Sequence, residues 1–125
     1  MDPQQIIFTA LRQLCVGLFD NVYDGALPPE GAPYPFVYIG DNSQTDRMLK
    51  GVALAPVVQT IHVWHNDPEQ RGTVSDMLNK IKIGCYNLES TTYGITVRSV
   101  SQRIITDTTT NAPLLHGVLE VGFIL

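Results

Sequence analysis

Between positions 74 and 85 the apolar residues recur at the spacing of one face of an α-helix. This stripe consists of Val74, Met77, Leu78, Ile81 and Cys85. Charged residues supply much of the other side of the same segment, which is the pattern of an amphipathic helix. A helix with a single apolar stripe has to bury it against another element, so the rest of the chain must provide an apolar surface.

A second helix and a set of strands can provide that surface. Residues 3–18 also carry apolar residues at helical spacing, with Asp2 placed to cap the helix and Pro3 in its first turn. Residues 57–65 alternate with a period of two instead, which is typical of a strand whose two faces differ.

Further strands follow from short runs of β-branched and aromatic residues. They comprise residues 22–23, 36–39, 95–106 and 114–125. The apolar face changes phase within residues 95–106, which predicts a bulge near Arg98 and Ser99. The order of elements predicts an α+β fold for residues 1–125 as a single domain, in which both helices pack on one face of a mostly antiparallel sheet.

Residues 41–56 join two of the predicted strands and are predicted to form a long loop. The segment opens with polar residues and then becomes apolar, with Met48, Leu49 and Leu54 in its second half. An exposed apolar loop needs a partner, so this segment is a candidate for contact with another protein.

Composition and charge exclude several classes of protein. The chain of 125 residues has 44% hydrophobic and 16% charged residues, as in an ordinary globular protein. Its net charge of −4 and scattered basic residues argue against a dedicated nucleic-acid binder. Cys15 and Cys85 both fall on apolar helical stripes, which favours core packing in a reducing compartment over a disulfide. With neither a signal peptide nor a membrane span in the sequence, we expect a soluble protein that is made in the cytoplasm and has no membrane partner.

The residues that commonly carry chemistry do not assemble into a recognisable motif. His62 and His65 stand three positions apart on a strand and therefore point to opposite faces, which does not suit a metal pair. His116 can meet one of them from another strand, but no carboxylate pair accompanies it at ligand spacing. Asp67, before Pro68, is most simply a helix cap. We therefore expect no catalytic, cofactor or metal site, and a binding or structural role rather than an enzyme.

Trp64 shares a strand face with Thr60 and His62 and does not lie on the face of Val57, Ile61 and Val63. Two interpretations are open. Helix packing covers the indole as ordinary core, or the indole helps to fill a subunit interface, where aromatic residues are enriched.

Five short stretches follow the first helix in a fixed order along nearly the whole chain. They are residues 22–23 (Val-Tyr), 32–40 (Ala-Pro-Tyr-Pro-Phe-Val-Tyr-Ile-Gly), 44–46 (Gln-Thr-Asp), 61–65 (Ile-His-Val-Trp-His) and 115–119 (Leu-His-Gly-Val-Leu). In this order and spacing the chain resembles the phage tail-completion family, also called tail-terminator or tail-to-head joining proteins. The apolar second half of residues 41–56 departs from what a solvated loop of such a protein should contain.

The resemblance implies a structural virion protein at the head-proximal end of the tail. Such a protein caps the completed tube as a homo-oligomeric ring, usually a hexamer, and joins the tail to the head. The implied partners are other copies of the chain, the tail tube protein and a head-completion or connector protein, while DNA passes through the ring without specific binding. The alternatives are a head-completion, neck or minor tail protein of similar size, and a small hydrolase or ligand-binding domain.

In this setting we expect residues 41–56 to reach a neighbouring ring subunit or the tube below. Met48, Leu49 and Leu54 would be the apolar anchors. The charged rim would be Asp46, Arg47 and Lys50. Trp64 is the remaining candidate interface residue.

Overall fold

The residues that the computed structural model describes form two helices and seven strands. The helices are α1 (Pro3–Leu18) and α2 (Arg71–Asn87), and the strands are β1 (Val22–Asp24), β2 (Phe36–Gln44), β3 (Arg47–Leu49), β4 (Val52–Leu54), β5 (Val57–His65), β6 (Thr96–Asp107) and β7 (Leu114–Ile124). The structure describes residues 2–45, 47–49, 52–54, 56–88, 94–109 and 111–125, and for residues 47–49 and 52–54 it describes the backbone alone. Within this part of the chain, neither helix is long and apolar enough to cross a membrane.

Five of the strands form one sheet in the order β1-β2-β5-β7-β6. Neighbouring strands run antiparallel except β1 and β2, which are parallel. The predicted α+β fold with a mostly antiparallel sheet is confirmed. Because β5 lies at the centre of the sheet, the alternation of its residues decides which face belongs to the core.

Both helices pack on the same face of this sheet, as the sequence predicts. The main contributors to the core are Ile7, Leu11 and Cys15 from α1, Val74, Leu78, Ile81 and Cys85 from α2, and Val57, Ile61, Val63, Leu119, Val121 and Phe123 from the central strands. Each fully buried aliphatic or aromatic side chain stabilises the fold by about 2 kcal/mol. Both cysteines are buried and free, which confirms their predicted place in the core.

The two helices begin in different ways. The Asp2 carboxylate accepts a hydrogen bond from the Gln5 N–H and caps α1, as predicted. The prediction that Asp67 caps α2 is wrong, because its carboxylate accepts from the Glu69 N–H in a turn before the helix. Aspartate readily closes such a turn on the backbone two residues ahead, so α2 starts only at Arg71.

Residues 41–56 are not the predicted long loop. The strand β2 continues to Gln44, and β3 pairs with β4 as a separate antiparallel hairpin in which Leu49 lies opposite Val52. The polar end of β2 forms strand because it pairs with β5, with Asn42 opposite Gln59. Pairing with a central strand thus overrides the low strand propensity of these residues.

The last two strands form the other side of the sheet. The register of β6 against β7 shifts between Val97 and Ser99, so the predicted bulge is confirmed at its predicted place. On β7, Leu115, Leu119, Val121 and Phe123 are buried in the core, whereas Leu125 is exposed.

Candidate functional site

The sheet face that points away from the helices carries a row of aromatic rings. We call it the open face. On β5 it presents Thr60, His62 and Trp64, which are half-buried, while the alternate residues of the strand are fully buried in the core. The interpretation of Trp64 as core under a helix is therefore wrong, because the period of the strand turns the indole to the opposite side of the sheet.

Strand pairing sets the neighbours of Trp64. Phe36 of β2 lies opposite it on one side and His116 of β7 on the other. The indole stacks on the His116 imidazole, with ring centroids 3.8 Å apart and planes within 9°. Tyr38 stands opposite His62 in the same way, with their ring centroids 6.2 Å apart.

A groove of about 580 Å³ runs along this end of the open face. We call it the aromatic groove. It is lined by Leu27, Pro28, Tyr34, Phe36, Tyr38, His62, Trp64, Asp107 and Leu114. The Leu27 side chain is 83% exposed at its rim, and Asp107 is the lining residue with a full charge. Concave aromatic surfaces with few charges are typical of sites that bind another protein.

His62 and His116 meet beside the groove. His62 Nδ1 lies 2.7 Å from His116 Nε2, so one of these nitrogens donates a proton and the other accepts it. Burial lowers the pKa of His62, an effect that Asp41 and Glu120 oppose. Burial and, to a smaller degree, His62 lower the pKa of His116 to about 4. Both rings are therefore neutral at pH 7.

The histidine pair does not complete a catalytic or metal site among the described residues. Asp107 lines the same groove, but its carboxylate accepts hydrogen bonds from the Thr109 N–H and hydroxyl. No recorded hydrogen bond in the described part of the chain joins either imidazole to a carboxylate. The described residues likewise contain no cluster of three or more groups able to hold a metal ion. The arrangement therefore lacks the third group that a hydrolytic site would need.

The structure separates the predicted interface residues into two places. Arg47, Met48 and Leu49 lie on β3 and Leu54 on β4, whereas Asp46 and Lys50 lie outside the described residues. Trp64 stands at the far end of β5, seven residues beyond Val57, a distance of about 23 Å along an extended strand. The predicted set is thus two surfaces at opposite ends of the sheet.

Gln59 is a structural residue that the sequence reasoning missed. Its side chain is fully buried on the core face of β5, and its amide nitrogen donates to the carbonyl oxygens of Gly40, Asp41 and Thr60 at 3.0–3.1 Å. Its amide oxygen accepts from Asn42 Nδ2 at 2.7 Å. Two of these bonds go to carbonyls of β2 at the place where the register of β2 against β5 shifts, between Ile39 and Asn42. The sequence signal that could have found Gln59 is a polar residue at a strand position that the alternation assigns to the core face.

Comparison with family profiles and with curated protein sequences gives no match. Among solved structures, a chain from the virion of a native gene transfer agent particle has a TM-score of 0.63 at 16% sequence identity, covering 98% of this chain and 93% of that one. The gp17 protein of bacteriophage SPP1 has a TM-score of 0.58 at 21% identity, covering 100% of this chain and 96% of gp17. The fold is thus shared with a virion protein and with a phage protein along nearly the full length of each chain, as the resemblance implies.

Proposed function

We propose that this chain is a structural protein of a phage or phage-like particle that caps the completed tail tube as a ring and joins the tail to the head. The observation that carries the proposal is the end-to-end fold match with a gene transfer agent virion chain and with SPP1 gp17. The matches cover 93–100% of each chain compared, so the likeness is not confined to a single motif.

Two features of the surface support an assembly role over an enzymatic one. The aromatic groove is concave and apolar, and the β3–β4 hairpin is an apolar segment that forms its own two-stranded sheet. A subunit of a ring needs two different patches that fit each other, because head-to-tail contacts with a fixed rotation close a cycle. In the proposed setting the ring, with six subunits as the usual number, contacts the tail tube protein on one side and a head-completion protein on the other.

The channel of such a ring lets DNA pass without binding it. The chain has 8 basic and 12 acidic residues, so a ring of copies carries net negative charge. Like charge in the channel repels the phosphate backbone and favours sliding over sticking.

Loss of the gene in a particle-producing host tests the proposal. We expect filled heads and separate tails, some of them of abnormal length, and restoration of joined particles by a plasmid copy. A gold label fused after the exposed Leu125 should mark the tube end nearest the head. The rival role of a head-completion or neck protein predicts the label on heads that lack tails, and that result would replace the proposal.

The hairpin is the segment to remove when assembly itself is tested. Replacing residues 46–55 by an Asn-Gly turn keeps the pairing of Gln44 with Val57 and should leave the five-stranded sheet folded. We expect this variant to be a folded monomer that does not enter particles. Unchanged assembly, measured by light scattering on purified protein and by particle yield, would show that residues 46–55 are not an assembly contact.

A further inference from the structure

The aromatic groove and the β3–β4 hairpin have complementary properties. The hairpin belongs to a separate two-stranded sheet, and in the described part of the chain its strands pair with each other alone. An isolated two-stranded hairpin is at best marginally stable in water and needs a surface to pack against. Its sequence from Arg47 to Leu54 contains Met48, Leu49, Val52, Ala53 and Leu54 as apolar residues.

The groove of the same molecule lies at the other end of the sheet from the base of this hairpin. The base of the hairpin is fixed where the Thr45 N–H donates to the Pro56 carbonyl, at the end of β2 and β5 that is farthest from Phe36 and Trp64. That separation is about 23 Å, whereas three residues of β3 span about 10 Å. The groove therefore lies at the end of the sheet away from the base of the hairpin, where it is open to a different molecule.

Charge favours the hairpin of a second copy as that molecule. Arg47 and Lys50 are the only charged residues in positions 47–54, and Asp107 is the charged residue that lines the groove. Hydrogen bonds from Thr109 hold the pKa of Asp107 below its ordinary value, so this carboxylate is ionised at neutral pH. Arg103 lies four positions earlier on β6, opposite Val118, and does not line the groove.

We propose that the aromatic groove of each subunit receives the β3–β4 hairpin of the adjacent subunit, with apolar hairpin residues against the aromatic lining and Arg47 or Lys50 near Asp107. The contact is heterologous, because a hairpin at one end of the sheet meets a groove at the other end of the next sheet. Repeated with a fixed rotation, it closes a ring. The inference rests on the proposed function, since it names the contact that would build that ring.

Engineered cysteines test the contact directly. Cys15 and Cys85 are buried and free, so surface cysteines added to the full-length chain have no reactive competitor. A Leu49→Cys variant, with its thiol in the hairpin, is mixed under mild oxidation with a Leu27→Cys variant. The Leu27→Cys thiol lies at the rim of the groove. The matched control partner is Ile83→Cys, because Ile83 is also exposed but lies on α2, away from the open face.

We expect a Leu49→Cys–Leu27→Cys dimer in several-fold excess over the Leu49→Cys–Ile83→Cys dimer. Asp107→Lys in the groove partner should lower the yield several-fold, and Arg47→Glu with Lys50→Glu in the hairpin partner should restore it. Unchanged circular dichroism and thermal midpoints of the three cysteine variants and the two charge variants establish that each is folded.

Two results would overturn the contact. One is equal dimer yield with the groove and control partners, and the other is capture of a different virion protein by Leu27→Cys when the variant is assembled into particles. Failure here is separable from failure of the proposed function. A label at the tail end without the groove cross-link refutes the contact alone, while the cross-link without a tail-end label refutes the tail role alone.

Discussion

His62 Nδ1 and His116 Nε2 lie 2.7 Å apart, and the space between them holds one proton. A second proton would place two N–H groups, and two positive charges, face to face in a partly buried site. The charged groups around the pair act in both directions. Asp41 and Glu120 on neighbouring strands favour protonation of His62, Asp107 favours protonation of His116, and Arg103 opposes both.

Acid should therefore destabilise the folded protein through His116. Its pKa is about 4 in the fold against 6.5 in the unfolded chain, so between these values the unfolded chain binds a proton that the folded protein does not. The unfolding free energy therefore falls as the pH drops from 6.5 towards 4, and above pH 6.5 the titration of His116 does not change it. Because the ring is partly exposed, solvent screening limits the expected loss to about 1 kcal/mol.

The variant His116→Gln should remove this part of the pH dependence. Urea unfolding of wild type and variant at pH 7 and pH 4.5 gives the change in unfolding free energy for each, and carboxylate titration cancels in the comparison. The control is Gln102→Ala, which should keep the wild-type dependence because Gln102 is exposed on β6 and carries no titratable group. Parallel pH curves for wild type and His116→Gln would contradict the expectation.

Gln59 gives a second prediction at this scale. In Gln59→Ala the carbonyls of Gly40 and Asp41 lose their side-chain donor in a partly buried site, and the Asn42 amide loses its acceptor. Leaving such groups unsatisfied should lower the unfolding free energy by about 3 kcal/mol. The control is Gln102→Ala on exposed β6, with an expected change of about 0.5 kcal/mol or less. Denaturant unfolding measures both, and a similar small change in both would show that the buried network is not needed.

At the scale of elements, the contact between α2 and β7 depends on a glycine. A Cβ added at Gly117 would lie 2.8 Å from Val74 Cγ1 and 2.9 Å from Leu78 Cδ1, so an alanine there pushes α2 away from the sheet. We expect Gly117→Ala to cost about 2 kcal/mol of unfolding free energy.

The matched control for this substitution is Gly72→Ala in the first turn of α2. A Cβ at Gly72 meets no atom within 4 Å, and alanine is the better helix former, so this variant should be neutral or up to about 1 kcal/mol more stable. Thermal or urea unfolding compares the two. Equal stability of the two variants would mean that α2 relaxes on β7 without cost.

Elements with a strong apolar period were predictable, and elements held by pairing were not. The stripe of α2 and the alternation of β5 each mark a buried face, so both elements are confirmed. The polar end of β2 and the β3–β4 hairpin carry weak strand signals, and β2 forms there because β5 supplies a partner. The start of α2 was missed because an aspartate that caps a helix and one that closes a turn look alike in sequence.

The candidate site was predictable only in its parts. The sequence placed Trp64 and His62 on one strand face and left the meeting of His116 with one of the histidines open. Which histidine meets it follows from the pairing of β5 with β7, and the position of the groove follows from the pairing of β2 with β5. Strand order and register are long-range properties, so the period of a single segment does not contain them.

At the scale of the whole molecule, the base of the hairpin lies at one end of the five-stranded sheet and the groove at the other end, and this placement determines how copies can associate. Each copy offers one hairpin and one groove, so a variant that lacks either can still use the other. The hairpin deletion, with residues 46–55 replaced by Asn-Gly, keeps the groove. A groove variant with Leu27→Lys and Asp107→Lys keeps the hairpin but repels Arg47 and Lys50.

Mixing these two variants should therefore restore one contact between two molecules, and no larger assembly should form. We expect each variant alone to be monomeric, and an equimolar mixture to form a one-to-one dimer that grows no further, because the dimer has one disabled hairpin and one disabled groove at its ends. Native mass spectrometry and light scattering at matched concentrations measure this. The control mixture joins the groove variant with a second groove variant, Tyr34→Lys with Asp107→Lys, and should stay monomeric because no intact groove is present. A dimer in the control mixture, or its absence from the complementary mixture under conditions in which wild type assembles, would show that copies meet through other surfaces.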